Sequence, residues 1–169
     1  HRLKDLAGPQ RLAQLVGAGL PDGFAALRSL EGRPNNLPAQ LTSFVGRSQL
    51  AQVVDLLGRS RLVTLTGPGG TGKTRLALQA AADSLDAHAD GTWFVPLETV
   101  TDPALVPAEI LAAMRIQAPA GQPPMDRLLE HARGRSMLVV LDNLEQVIAV
   151  GTLVARLLRE APGVTVLAT

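Results

Sequence analysis

Residues 67–74 of the chain read GPGGTGKT and match the pattern G-x-x-x-x-G-K-[ST] at every position. Glycines let such a loop fold back tightly enough for its backbone N–H groups to surround a chain of phosphate oxygens. The pattern therefore predicts a phosphate-binding loop. The residues that we expect to contact phosphate are Gly67, Pro68, Gly69, Gly70, Thr71, Gly72, Lys73, Thr74 and Arg75.

Two side chains of this loop have predicted roles of their own. Lys73 supplies a cation that reaches the β and γ phosphates, and the hydroxyl of Thr74 is a predicted magnesium ligand. Lys73 is one of two lysines in the chain, the other being Lys4. A strand-like run precedes the loop and a helix-like run follows it, so the helix would point its positive end at the anion. An ordinary glycine-rich turn is the alternative interpretation.

A second motif, which ends in an acidic residue, lies downstream of the loop. Residues 137–141 read MLVVL, a continuous apolar run typical of a parallel strand covered on both faces, and Asp142 follows it. An acid at the carboxyl end of such a strand lies where open α/β sheets bind ligands. Asp142 therefore has the form of a Walker B acid that holds Mg²⁺ through water. The alternative is an acid that caps the next helix.

Hydrolysis of a bound nucleotide would require a further group to orient the attacking water. Asn143 follows Asp142, and an amide can orient water but accepts its proton poorly. Glu145 is the next carboxylate, and it would act either in catalysis or as a first-turn acid that favours the helix dipole. The sequence thus supports nucleotide binding more strongly than turnover.

The hydrophobic pattern predicts an α/β fold, in which a three-layer P-loop core has a parallel sheet flanked by helices. Gly58 is the predicted end of the first helix. Trp93 and Phe94 are interpreted as core residues rather than base-stacking ones. The predicted helices cover residues 48–57, 73–87, 104–114, 125–133 and 144–160, and the predicted strands cover residues 61–66, 92–97, 137–141 and 164–168.

Composition narrows the class of protein. With 16 basic and 15 acidic residues, one Trp, three Phe and no Tyr, we expect no direct contact with nucleic acid. No apolar run approaches the ~18 residues that span a membrane. The chain has no cysteines, which excludes disulfides and fits a reducing compartment, and we expect a cytoplasmic protein. Its three histidines are far apart in sequence, which disfavours a histidine metal site.

The chain divides into three predicted parts. Residues 1–17 alternate apolar and polar positions around a turn, which predicts a short hairpin-like tail. Residues 18–41 are rich in Gly, Pro and Asn and predict a linker. Residues 42–169 then form the predicted nucleotide-binding domain.

Three ordered motifs make the chain resemble the STAND class of signalling NTPases, which are related to AAA+ ATPases. They are TSFVGR at residues 42–47, VTLTGPGGTGKTRLAL at residues 63–78 and LVVLDNLEQV at residues 138–147. The nearest likeness is to the bacterial branch found in large transcriptional regulators and cyclase-linked proteins. The resemblance implies a switch that binds ATP or ADP with Mg²⁺.

The resemblance also implies an adenine pocket lined by Phe44, Val45, Gly46 and Arg47, a stretch that otherwise indicates only a turn before a helix. In the family's strand order, the last strand lies between the loop-bearing strand and the strand that ends at Asp142. The family continues beyond that strand into a sensor, a further strand and a winged helix. We therefore expect a core truncated at its C-terminal side, with one exposed sheet edge.

The first residues, HRLKDLAGPQRLAQLV, resemble the last strands of a class III nucleotidyl cyclase domain. The metal and base-reading residues of that family would lie outside so short a stretch, so we expect no cyclase activity from this chain. Because the chain begins with His, we interpret it as an excerpt from a longer protein. The expected partners are the nucleotide, further domains of the same polypeptide and, in a nucleotide-dependent manner, other copies of the protein.

Two other functions share the loop. A small-molecule kinase would transfer the γ-phosphate, and it should carry an arginine-rich lid, for which Arg127, Arg133 and Arg135 are the local candidates. A non-hydrolysing interaction module would keep the fold without turnover. The intact Lys73, Thr74 and Asp142 argue against a module that has also lost nucleotide binding.

Overall fold

The computed structural model describes residues 32–38, 46–146 and 150–169. Within these ranges, helices and strands alternate along the chain. The helices are α1 (Arg47–Arg59), α2 (Lys73–Asp83), α3 (Val106–Ala113), α4 (Pro124–Ala132) and α5 (Gly151–Glu160), and the strands are β1 (Leu62–Thr64), β2 (Thr92–Pro96), β3 (Met137–Asp142) and β4 (Val164–Ala168). In this described part, no helix has both the length and the apolar character to cross a membrane.

The strands form a parallel sheet in the order β1-β4-β3-β2. The last strand thus lies between the strand that leads into the phosphate loop and the strand that ends at Asp142, as expected. Ala168 of β4 pairs with Thr64 of β1 on one side and with Leu141 of β3 on the other. Pro96 of β2 pairs with Asp142 of β3. The carboxyl ends of the strands therefore meet at one edge of the sheet, where open α/β folds bind ligands.

Strand β3 shows how the sheet is covered. All six of its residues are buried, and alternate side chains point to opposite faces. Met137, Val139 and Leu141 enter the larger apolar cluster with residues of α3, α4 and α5. Leu138 and Val140 enter the smaller cluster with residues of α1 and α2. The predicted α/β class, with helices on both faces of a parallel sheet, is confirmed.

Some predicted element bounds are wrong. Helix α1 continues through Gly58 to Arg59. Helix α2 ends at Asp83 rather than at residue 87, because the N–H of Ser84 is shared between the carbonyls of Ala80 and Ala81, and a 3₁₀ turn follows. The predicted strand 61–66 is regular only over β1.

The largest difference concerns the predicted helix 144–160. A 3₁₀ turn covers Leu144–Gln146, α5 begins at Gly151, and residues 147–149 lie outside the described residues. The physical reason is visible at the start of the segment. Asn143 adopts a left-handed conformation (φ 62°), and the N–H of Leu144 bonds to the carbonyl of Thr169 in the sheet. The turn is therefore tied to the sheet.

A short segment before α1 closes the outer edge of β2. The side-chain amide of Asn36 accepts a hydrogen bond from the N–H of Phe94 (2.6 Å) and donates one to the carbonyl of Phe94 (2.8 Å). The carbonyl of Pro34 accepts from the N–H of Thr92 (3.0 Å). Gly91 permits this approach, because a Cβ there would lie 2.9 Å from the carbonyl oxygen of Pro34. Residues 34–36 belong to the predicted linker, and the predicted tail lies outside the described residues.

The Asn36 amide substitutes for a peptide group of a neighbouring strand. We expect Asn36→Ala to lower the free energy of unfolding by about 1–3 kcal/mol, since it removes two hydrogen bonds from a partly buried edge. Asn36→Asp should cost at least as much, because its carboxylate would face the carbonyl of Phe94. Urea unfolding measures both variants, and unfolding curves that coincide with that of the unaltered protein would contradict the role of the amide.

The imidazole of His88 is buried, and within the described part of the chain its Nδ1 has no hydrogen-bond partner. Burial lowers the pKa of His88 from its ordinary value of 6.5. The unfolded chain therefore takes up a proton on this side chain at a higher pH than the folded protein does. Stability should be retained above about pH 6.5 and should fall as the pH drops from there towards the folded pKa.

We expect His88→Gln to flatten this acid-side loss of stability, as measured by urea unfolding between pH 7.5 and pH 5. His131→Gln serves as the comparison. The pKa of His131 is also lowered, first by burial and then by Arg135 and Arg127, but this side chain is less buried. A pH profile for His88→Gln that stays parallel to that of the unaltered protein would exclude His88 as a source of the acid sensitivity.

Candidate functional site

The glycine-rich loop connects β1 to α2 at the carboxyl edge of the sheet. Gly67, Gly70 and Gly72 have positive φ angles of 154°, 76° and 85°, which L side chains rarely adopt. Gly72 is also the N-cap of α2, and as a glycine it has no side chain with which to cap the helix's first amides. These amides and the helix dipole together favour an anion at this point.

A cavity of about 510 Å³ lies over the loop. Its wall includes Arg75 and Leu76 of α2 and Gln49 of α1. The other lining residues are Thr64, Leu65, Thr66, Gly67, Pro68, Thr71, Gly72 and Lys73. The cavity is therefore bounded by the end of β1 and by two helices. Its size is within the range of small-molecule sites.

The ammonium group of Lys73 folds back over the loop. Its Nζ donates hydrogen bonds to the carbonyls of Gly67 (2.8 Å) and Pro68 (3.0 Å). The hydroxyl of Thr71 donates to the same Pro68 carbonyl at 2.9 Å. The cation is thus held above the backbone that would surround a phosphate, and Lys73 is half-buried there. Phosphate oxygens are charged acceptors and would bind this ammonium more strongly than neutral carbonyls do.

The carboxylate of Asp142 lies at the end of β3 and is only 5% exposed. Its Oδ1 accepts a hydrogen bond from the hydroxyl of Thr74 at 2.8 Å and another from the hydroxyl of Thr169 at 2.5 Å. The structure therefore brings together the two side chains that the sequence predicts as magnesium ligands. Within the described residues, the hydrogen bonds of this carboxylate run to the start of α2 and to the residue after β4 rather than to the amides of the following turn, which does not favour the helix-cap interpretation.

Thr169 is a site residue that the sequence analysis missed. It follows β4, is 7% exposed, and accepts a hydrogen bond from the N–H of Asn143 at 3.1 Å. A signal for it was present, because the expected strand order places the end of β4 beside Asp142. A polar residue at that point would be near the carboxylate.

The other predicted site residues in the described part of the chain do not line the cavity over the loop. Asn143 is half-buried, and Glu145 is exposed on the 3₁₀ turn. Arg47 begins α1 but lines a separate groove of about 370 Å³ between α1 and α2, together with Asp55 and Asp83. Gly46 has a positive φ of 124°. Phe44 and Val45 lie outside the described residues, so the adenine pocket stays a prediction.

Curated proteins similar to this chain include regulators. An uncharacterized protein of Mycobacterium tuberculosis is 41% identical over 131 residues, which are 76% of this chain and 33% of that protein. A putative HTH-type transcriptional regulator of the same species is 44% identical over 115 residues, which are 68% of this chain and 13% of that protein. The chain thus spans a third or less of the length of these relatives. No protein-family model matches it.

Two solved structures share the fold. Cdc6p from Pyrobaculum aerophilum has a TM-score of 0.59 and 21% identity, over 83% of this chain and 41% of that one. The ORC2 protein of Aeropyrum pernix, determined as ADPNP-ADP complexes, has a TM-score of 0.50 and 15% identity, over 73% of this chain and 39% of that one. At these identities the likeness concerns the fold alone. The chain therefore has the α/β architecture of these proteins, and its curated relatives include a putative transcriptional regulator.

Proposed function

We propose that this chain is an ATP- or ADP-binding regulatory module of a larger cytoplasmic signalling or transcription-regulating protein, of the STAND class. The observation that carries the proposal is the contact between the Thr74 hydroxyl and the Asp142 carboxylate, beside a loop whose lysine lies over its own backbone. The putative transcriptional regulator among the relatives supports the regulatory role. The ADPNP-ADP complexes of a protein with the same fold are consistent with nucleotide binding.

Phosphate binding follows from the geometry of the loop. The first amides of α2 and the backbone of the glycine-rich turn provide hydrogen-bond donors for phosphate oxygens. Lys73 would exchange its bonds to the Gly67 and Pro68 carbonyls for bonds to the phosphates. The exchange replaces neutral acceptors with charged ones and therefore favours the nucleotide-bound loop.

Magnesium binding is proposed for Thr74 and Asp142. A hydroxyl and a carboxylate are the oxygen ligands that suit Mg²⁺, and the two groups already lie within 2.8 Å of each other. The ion would neutralise charge on the β and γ phosphates. Because Mg²⁺ retains several waters, Asp142 would bind it through one of them.

Hydrolysis of the bound nucleotide is proposed to be slow or absent. Asn143 directly follows Asp142, and its backbone N–H is already bonded to Thr169. Glu145 is exposed on the following turn, where water screens its charge and does not favour a proton-accepting role. A nucleotide that persists as ATP or ADP suits a switch, in which contacts to the γ-phosphate bias the conformation.

The kinase alternative has less support in the structure. Arg127 pairs with Glu130 and Arg133 lies 3.8 Å from Glu160, so both arginines are engaged on the surface around α4 rather than near the loop. Arg135 lies near His131. These arginines do not form a lid over the cavity above residues 67–74.

Titration of the purified protein with fluorescent ATP and ADP, with and without Mg²⁺, tests the proposal. We expect Lys73→Ala to weaken nucleotide binding by at least about tenfold, because charge-assisted hydrogen bonds are lost. Arg159→Ala is the matched control, since it removes one positive charge from an exposed position of α5. We also expect very slow phosphate release.

Three results would contradict the proposal. Equal affinity of the unaltered protein and Lys73→Ala would mean that the loop does not bind phosphate. Equal weakening by Arg159→Ala would mean that the effect is one of net charge. Rapid transfer of the γ-phosphate to an added metabolite would favour the kinase.

A further inference from the structure

Thr169 makes hydrogen bonds through both its side chain and its backbone, all within the immediate surroundings of Asp142. Its hydroxyl donates to Asp142 Oδ1 at 2.5 Å and accepts from the N–H of Asn143 at 3.1 Å. Its backbone N–H donates to the carbonyl of Leu141 (3.0 Å), and its carbonyl accepts from the N–H of Leu144 (2.8 Å). One residue thus contacts each of four consecutive positions, 141–144.

We propose that Thr169 is a positioning residue, which holds the Asp142 carboxylate in the orientation that Mg²⁺ binding requires. The proposal rests on the proposed function, because it concerns the ion bound with the nucleotide. Thr169 itself would touch neither the nucleotide nor the ion.

The hydrogen-bond pattern leaves the hydroxyl little freedom. A hydroxyl has one proton to donate, and Thr169 gives it to Asp142 while its lone pair receives the N–H of Asn143. A rotation of the Thr169 side chain about χ1 would move Oγ1 and break both bonds in a site that is almost closed to water. The side chain therefore has one favoured arrangement, and that arrangement fixes Asp142.

The contributions of the two threonines differ once an ion is bound. Thr74 is in the first turn of α2, and its hydroxyl would have to turn its oxygen towards the ion, so its hydrogen bond to Asp142 changes on binding. Thr169 is held by the sheet and can keep its bond to Asp142 throughout. Both hydroxyls meet the same oxygen, Oδ1, which leaves the other oxygen of the carboxylate outside these two bonds. Hydrogen-bonded partners of metal-binding carboxylates orient them in this manner.

The strand order explains why this residue can act on Asp142. Strand β4 lies directly between β1 and β3, and Ala168 pairs with Thr64 on one side and with Leu141 on the other. Thr169 comes one residue later and therefore lies between the start of the phosphate loop and the metal-binding acid. No other strand of the described sheet is next to both.

The test compares three variants of the full-length protein. Thr169→Val keeps the shape of the side chain but removes the hydroxyl, whereas Thr169→Ser keeps the hydroxyl and removes the methyl group. Thr165→Val is the matched control, since Thr165 is also buried on β4 (7% exposed) but pairs with Leu138, away from Asp142. Nucleotide affinity is measured without Mg²⁺ and over a Mg²⁺ titration.

We expect Thr169→Val to raise the Mg²⁺ concentration for half-maximal enhancement of nucleotide affinity by about tenfold. Its affinity without Mg²⁺ should stay close to that of the unaltered protein. Thr169→Ser and Thr165→Val should behave like the unaltered protein. The positioning role is overturned if the Mg²⁺ concentration for half-maximal enhancement is unchanged in Thr169→Val. It is also overturned if Thr169→Ser raises that concentration as much as Thr169→Val does.

A second measurement separates this inference from the proposed function. Hydrogen exchange at the Asn143 amide needs no nucleotide, and it should be faster in Thr169→Val and near the unaltered rate in Thr169→Ser. Exchange that is unchanged in Thr169→Val would overturn the inference even if nucleotide binds. Absence of nucleotide binding by the unaltered protein would instead overturn the proposed function, and the positioning role for Mg²⁺ with it. Should Thr169→Val fail to fold, Thr169→Ala takes its place under the same criteria.

Discussion

The buried carboxylate of Asp142 is the group on which the arrangement of the site depends. A carboxylate that is almost closed to water is costly to bury unless donors compensate for its lost hydration. Here two hydroxyls do so, one from the start of α2 and one from the residue after β4. The same two contacts join the phosphate loop, β3 and β4 at a single oxygen. The two hydrogen bonds that compensate the charge of Asp142 therefore also hold the three elements in position.

The sheet makes this convergence possible. Parallel strands present all their carboxyl ends at one edge, and the order β1-β4-β3-β2 places the loop-bearing strand and the Asp142 strand on either side of β4. Strand β3 can occupy the centre because its side chains are apolar on both faces. Its terminal acid is then the first polar position at which the chain leaves the core. The location of the acid therefore follows from the continuous apolar run that precedes it.

The parts of this structure that could be predicted from sequence are those with strong local chemistry. The glycines of the loop predict positive φ angles, and the continuous apolar run before Asp142 predicts a strand covered on both faces. Thr169 could not be recognised in the same way, because its importance arises from a neighbour 27 residues earlier in the chain. The break after Asn143 was missed for a related reason. The residues after Asn143 have the apolar spacing of a helix, but the N–H of Leu144 is hydrogen-bonded to the carbonyl of Thr169, and a 3₁₀ turn forms instead.

The Asn36 contact with Phe94 has a mechanical consequence. Residues around Asn35 bridge to Thr92 in the parallel sense, so the hydrogen bonds run across the direction of the chain. Tension along this segment would load the bonds in shear, and several would have to break together before the segment detached. Strand β2 would bear that load, and the N–H of Leu97, just after it, donates to the backbone carbonyl of Asp142 at 3.0 Å. Force on the N-terminal side is thereby connected to the backbone of Asp142.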